Sequence, residues 1–311
     1  MGLATRQAYG ETLKELGAQN KDIVVLDADL SKSTNTHLFA KAYPDRFFNV
    51  GIAEQNLMGV AAGLATAGKI PFVSTFAMFA AGRAYEQIRN SICYPKLNVK
   101  VAATHAGLTV GEDGASHQAI EDISLMRTIP NMSVIVPADA EETRQAIAFA
   151  AEYKGPVYIR LGRMAVPDLY EGGYTFTFGK GVQLAEGKDV TLIATGVMVA
   201  PAKAAAEELK KDGIQARVLN IHTIKPIDKE AVIQAARETG AIVTCEEHSV
   251  IGGLGSAVAE VLVENQPVPM ERVGVMDTFG ESGTPDALLQ KYRLTAADIA
   301  VAAKKAISRK G

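Results

Sequence analysis

Ile23-Val24-Val25-Leu26-Asp27-Ala28-Asp29 is an apolar, β-branched run that stops abruptly at acids. Continuous rather than alternating apolarity means a strand buried on both faces, which is the situation of a central strand in a parallel sheet with helices on either side. Upstream, residues 2–17 carry charges and apolar residues at helical spacing. Downstream, strand-like runs recur at Phe47–Val50, Ile70–Thr75, Val99–Ala103, Val134–Val136 and Val157–Arg160. Helical patterns fall between them near 53–67, 79–92, 119–127 and 139–152. Such alternation predicts an α/β layering on a parallel sheet.

Around Pro167-Asp168-Leu169-Tyr170 the periodicity breaks, and a glycine- and turn-rich stretch continues to about Lys188. Beyond it the pattern resumes, with strands expected near 190–195, 215–220, 241–246 and 272–276 and helices near 198–211, 228–238, 254–264 and 295–308. The expected fold is therefore α/β with two doubly wound domains, 1–170 and 189–311, joined by a linker over 171–188. Ligands bind such sheets beyond the carboxyl ends of the strands, so the residues just after each apolar run carry the functional argument.

Composition narrows the partners. A net charge of −3 over 311 residues offers no field for nucleic acid or an anionic membrane. The two cysteines, Cys93 and Cys245, make neither a disulfide framework nor a metal site, which fits a reducing cytoplasm. The first residues form no signal peptide and no apolar run is long enough for a membrane span.

Three segments following strands carry candidate chemistry. Gly51-Ile52-Ala53-Glu54-Gln55-Asn56 opens an apolar helix. Glu54 there either favours the positive helix end or, held in a mostly apolar pocket with a raised pKa, exchanges a proton with a bound heterocycle. Ser74-Thr75-Phe76-Ala77-Met78-Phe79 places two rings three positions apart, suited to core packing or to the wall of a slot for a flat ligand. The third segment, Thr104 to Gln118, contains two of the five histidines, His105 and His117, with Glu112 and Asp113 in a polar loop without hydrophobic periodicity. Long polar loops of this kind are functional more often than structural, and the histidines suit hydrogen bonding and proton transfer to a polyhydroxylated substrate near neutral pH. Arg6, Arg160 and Arg163 offer guanidinium forks for an anion or for salt bridges. Gly252-Gly253-Leu254-Gly255-Ser256 lacks the dinucleotide fingerprint and is expected to be a helix-start loop.

In this order and at these spacings, the segments at 51–56, 74–79, 104–118, 129–139 and 159–163 resemble the pyrimidine-binding and C-terminal domains of transketolases. The resemblance covers essentially the whole chain. It implies that Glu54 bonds the pyrimidine nitrogen of thiamine diphosphate and promotes its imino form, with Phe76 and Phe79 stacked around that ring. It also implies that His105 and Asp113 contact the donor sugar's hydroxyls, that His117 assists proton transfer, and that Arg6, Ser33 and Arg163 hold the substrate phosphate. A third aromatic common in the family falls at Gly82, with Tyr85 one turn on as a replacement.

The departures are informative. The Gly-Asp-Gly motif and later Asn with which such enzymes bind diphosphate through Mg²⁺ are missing, and the chain begins almost at the pyrimidine domain. A hard cation bridging phosphates needs those oxygen ligands. The implied protein is thus the C-terminal subunit of a split transketolase. It would move a two-carbon ketol unit between sugar phosphates only with an N-terminal subunit, as a dimer of heterodimers docked through a sizeable apolar surface. Alternatives from the same resemblance are a deoxyxylulose-phosphate synthase fragment, the β subunit of a 2-oxo acid decarboxylase, or a non-catalytic regulatory subunit.

Overall fold

The computed structural model describes residues 2–170 and 172–310; Met1, Glu171 and Gly311 lie outside the described residues. The first sheet contains β1 (Ile23–Asp27), β2 (Phe47–Asn49), β3 (Ile70–Ser74), β4 (Lys100–Ala103), β5 (Ser133–Ile135) and β6 (Val157–Arg160). The second contains β7 (Val182–Ala185), β8 (Val190–Ala194), β9 (Ala216–Asn220), β11 (Ile242–Ser249) and β12 (Met270–Val275). Between β9 and β11 lies β10 (Thr223–Lys225), and it joins the first sheet, antiparallel to β5.

Strand order is β10-β5-β6-β4-β3-β1-β2 in one sheet and β12-β11-β8-β9-β7 in the other. All pairs are parallel except β10 with β5 and β7 with β9, so each sheet carries a single antiparallel edge strand. Every residue of β1 is buried, as are those of β4, β6, β8 and β9, which is why these strands are mostly apolar rather than alternating, their few charged residues falling at or near strand ends. Helices Glu54–Thr66, Ala140–Glu152, Val199–Lys211, Lys229–Thr239, Leu254–Asn265 and Ala296–Ser308 cover the sheet faces close to their expected positions.

Three features depart from the expectation. The stretch 171–188 contains β7, the edge of the second sheet. The helical pattern at 79–92 winds with π-type turns at Met78–Arg83 and Ile88–Cys93, separated by Tyr85–Gln87. Such wide turns tend to appear where a side chain must be re-aimed for function. Short helices Ser31–Thr34, His37–Ala42 and Pro285–Lys291 fall where no periodicity announced them.

The two domains are joined by buried polar contacts as well as by β10. Arg160, at the end of β6, donates from Nε to Asp122 (2.9 Å to Oδ2) and from Nη2 to the carbonyls of Ala119 and Glu247 (3.2 and 2.9 Å). Burial opposes its charge, but Asp122 and Glu247 outweigh that and raise its pKa. Arg160 is thereby occupied within the protein and unavailable to a ligand anion. A second junction surrounds Glu142, whose carboxylate accepts from Tyr170, Tyr174, Asn220 and the Ala138 amide at 2.7–3.1 Å.

Candidate active site

The residues singled out in the first domain converge beyond the carboxyl ends of its strands, where a parallel sheet presents ligands. After β2, Glu54 begins the helix Glu54–Thr66 and is only 3% exposed. A carboxylate there lies at the positive end of the helix. Its pocket is not the mostly apolar one expected: Arg83 Nη1 donates to Glu54 Oε1 at 2.9 Å. Arg83, four residues after Phe79, lies on the same side of this turn, its guanidinium 4.6 Å from the Phe79 ring centroid. The sequence offers Arg83 only within Arg83-Ala84-Tyr85, the string that with Ser74–Phe76 underlies the synthase alternative, and gives it no role. Among the described residues Glu54 Oε2 accepts no hydrogen bond, so one carboxylate oxygen is left for a ligand.

Phe76 and Phe79 lie nearly parallel, centroids 5.9 Å apart. Phe76 also stacks on the His105 ring at 3.8 Å, and His117 stands edge-on to Phe79 at 5.3 Å. Four rings from two distant segments thus form one cluster. Tyr85 does not join it; its hydroxyl meets Thr128 Oγ1 at 3.2 Å, so it is no substitute for the aromatic missing at Gly82. A cleft of about 330 Å³ adjoins the cluster, lined by Met78, Phe79, Arg83, Ser116 and Gln118 from the first domain and Phe279 from the second.

His105 sits at φ 56°, a conformation that side-chain-bearing residues avoid and that recurs at functional sites. Thr104 Oγ1 is 2.9 Å from its Nδ1, and Arg6 Nη1 is 3.4 Å from its Nε2. Burial first, then the charges of Arg6 and Arg163, push its pKa down to about 3. The expectation of a histidine titrating near neutrality is corrected for His105: it is a neutral imidazole offering one donor and one acceptor. His117 is half-buried, with Ser116 Oγ 2.9 Å from its Nδ1. Asp113 is exposed and makes no polar contact among the described residues; the structure does not bring it onto the ring cluster.

Arg6 Nη1 donates to the Ser33 carbonyl at 2.7 Å, and Ser33 contributes that backbone oxygen rather than its hydroxyl. The turn containing Ser33 is shaped by Asp27, which accepts from Leu30 N, Thr34 Oγ1 and Thr36 Oγ1 at 2.6–2.9 Å. Arg163 reaches the Val110 carbonyl and, at 3.1 Å, Glu112 Oε2. Arg6 has no acidic partner among the described residues, and burial followed by the neighbouring Arg163 lowers its pKa. Two guanidiniums close enough to repel, one without a counter-ion, form a ready seat for an anion.

Residues 1–168 match the transketolase pyrimidine-binding domain and residues 179–299 the transketolase C-terminal domain. The chain belongs to the transketolase family. It is 55% identical to a transketolase C-terminal section of Methanocaldococcus jannaschii, over 95% of this chain and 93% of that one. It is 48% identical to the 6-deoxy-6-sulfo-D-fructose transketolase subunit SqwH of a Clostridium species, over 98% and 95%. Among solved structures, a split-gene transketolase in an inactive β4 tetramer is 62% identical, covers 100% of both chains and superposes with a TM-score of 0.91. Transketolase-family domains imply thiamine diphosphate dependence, and the donor set fits the flat half of that cofactor: a buried carboxylate with a free oxygen beside an aromatic wall. Among the described residues no cluster of three His, Cys, Asp or Glu could hold a metal ion.

Proposed function

We propose that this chain is the C-terminal subunit of a two-chain transketolase, active with an N-terminal subunit that supplies the diphosphate and Mg²⁺ ligands. The observation that carries this reading is the buried Glu54 carboxylate, its Oε2 free, beside Phe79 and one step from the His105–His117 loop. Bound thiamine diphosphate supplies the carbon nucleophile that carries a two-carbon unit from a ketose to an aldose. Glu54 Oε2 accepts the hydrogen of the pyrimidine nitrogen, while Arg83 on Oε1 fixes the carboxylate's orientation. Phe76 and Phe79 orient the ring by stacking, and Phe76 simultaneously fixes the plane of His105. His105, held neutral, hydrogen-bonds a sugar oxygen, and His117, steadied by Ser116, exchanges a proton with a substrate hydroxyl. Asp113, exposed on the same loop, comes to the sugar only if the loop shifts on binding. Arg6 and Arg163 hold the terminal anion, and guanidinium forks suit a phosphate or a sulfonate alike.

Partner dependence rests on two further points. The solved relative is an inactive tetramer of β chains alone, and here Phe48 and Ile52, 40% and 79% exposed, stand beside Glu54 as apolar surface for a second chain. A dimer of heterodimers located in the cytoplasm completes the reading.

The test is ketol transfer from xylulose 5-phosphate to ribose 5-phosphate with thiamine diphosphate and Mg²⁺, using this chain alone and then with a candidate N-terminal subunit. Activity in the mixture only is expected. Activity of the chain alone would refute partner dependence, and none in a verified complex would move the reading to the synthase or decarboxylase branches.

A further inference from the structure

The second domain holds none of the candidate catalytic residues, yet it reaches into the loop that does. Successive residues of β11 point to opposite faces, and the acids there are used in opposite ways. Glu246 accepts from Leu254 N and Gly255 N at 2.7 and 2.8 Å, so the helix start in the Gly252–Ser256 loop already has its anion. Glu247 turns the other way, across the domain boundary, and its Oε1 accepts from the backbone amide of Thr109 at 2.6 Å.

That bond lies in the middle of the His105–His117 loop, and it is not alone. Gly107, at φ 82°, has no room for a side chain because a Cβ would lie 2.3 Å from the Glu247 carboxylate. Beyond the loop, Ser249 N donates to Ile120 O at 2.7 Å, and Arg160 ties Ala119 O to Glu247 O. On the loop's inner side Gln118 Nε2 donates to Leu108 O, Gly111 O and, in the second domain, Glu281 O, at 2.9–3.3 Å. Ala106, Leu108 and Val110 anchor the first half of the loop by burial, but its backbone amides need partners to keep one conformation, and ordering the loop on substrate binding would cost affinity.

We infer that Glu247 is a positioning residue: from the second domain it fixes the Thr109 amide and thereby holds the first half of the loop, His105–Gly111, in its sugar-binding shape before substrate arrives. Gln118 is its counterpart on the loop itself. The inference rests on the proposed function for what the loop binds, but not for the claim that Glu247 orders it.

The test has two arms. In the free full-length chain, hydrogen exchange is compared for wild type, Glu247→Ala, Glu247→Gln and Gln118→Met. Glu247→Ala is expected to speed exchange of amides 107–114 at least tenfold while β1, β3 and β8 keep wild-type rates. Glu247→Gln, which retains an acceptor oxygen for Thr109, restores most of the protection. If Glu247→Ala does not fold, Gln118→Met carries the same expectation. In the assembled complex, the same variants are expected to raise KM for the sugar phosphates at least fivefold with a smaller change in kcat, and to leave KM for thiamine diphosphate unchanged. Unchanged loop exchange, exchange accelerated equally in the core strands, failure of the Gln variant to rescue, or a parallel rise in the cofactor's KM would overturn the inference. A wild-type complex without ketol transfer would sink the proposed function while the exchange arm still decides the role of Glu247.

Discussion

The two domains share a doubly wound plan, yet they use the carboxyl ends of their strands in opposite ways. In the first, the residues after β2 and β3 leave groups unconsumed: Glu54 keeps one oxygen free and Phe79 lines a cleft, while Arg6, on the helix ahead of β1, lacks an acid partner among the described residues. In the second, the corresponding groups are spent on the protein. Asn220, the last residue of β9, donates to Glu142, while on β11 Glu246 caps a helix and Glu247 holds a loop of the other domain. The same architecture makes a site only where strand-end groups are left incompletely satisfied, because a buried group already hydrogen-bonded has nothing to gain from a ligand.

The contrast is sharpest at Glu54. Replacing it with Gln is expected to lower kcat of the assembled complex by about 10²–10⁴-fold, the scale of a lost proton-transfer group, with urea stability nearly unchanged; turnover near wild type would break the comparison. Arg160, although it ends a strand of the first domain, belongs to the consumed class. Arg160→Met is expected to cost about 3–5 kcal/mol of stability, since Asp122 would be left buried without its partner. Equilibrium urea unfolding measures it, and a loss below about 1 kcal/mol would return Arg160 to the list of ligand-binding candidates.

Glu142 gives a pH test of the interdomain junction. Burial pushes its pKa up to about 7, against the donors that surround it. The folded pKa lies above the unfolded one, so its contribution to stability is fully present below the unfolded value near 4.5 and is lost as pH rises through about 7. Stability of the wild type relative to Glu142→Gln should therefore fall by about 2–3 kcal/mol between pH 4.5 and 8. Parallel stability curves for the two proteins would show that the junction is not strained by this charge. The smallest effect is expected at the anion seat: Arg163→Met should raise KM for phosphorylated sugars about tenfold, the loss of one charge-assisted contact, while leaving KM for unphosphorylated analogues alone.

Much of the first domain's site was legible because its residues cluster in sequence. Glu54 opens a helix after a strand, Phe76 and Phe79 share one segment, and His105 and His117 share one loop. What could not be seen were partners supplied from afar. Arg83 reaches Glu54 from 29 residues further along the chain. Likewise His105 looked like a group poised near neutrality, since its type and loop context say nothing of the burial and the two guanidiniums that depress its pKa.

The sequence by itself determined the central strands and the long covering helices, since unbroken apolar runs and helical periodicity are local signals that survive without knowledge of neighbours. It also determined the family, through motifs whose order and spacing are a property of the chain. Only the tertiary structure decided that β10 leaves its own domain to extend the first sheet, that Arg160 is an internal tie, and that Glu247 meets Thr109 from 138 residues away. Those outcomes depend on which buried donors and acceptors find one another once the sheets are closed, and that matching is made in space rather than along the chain.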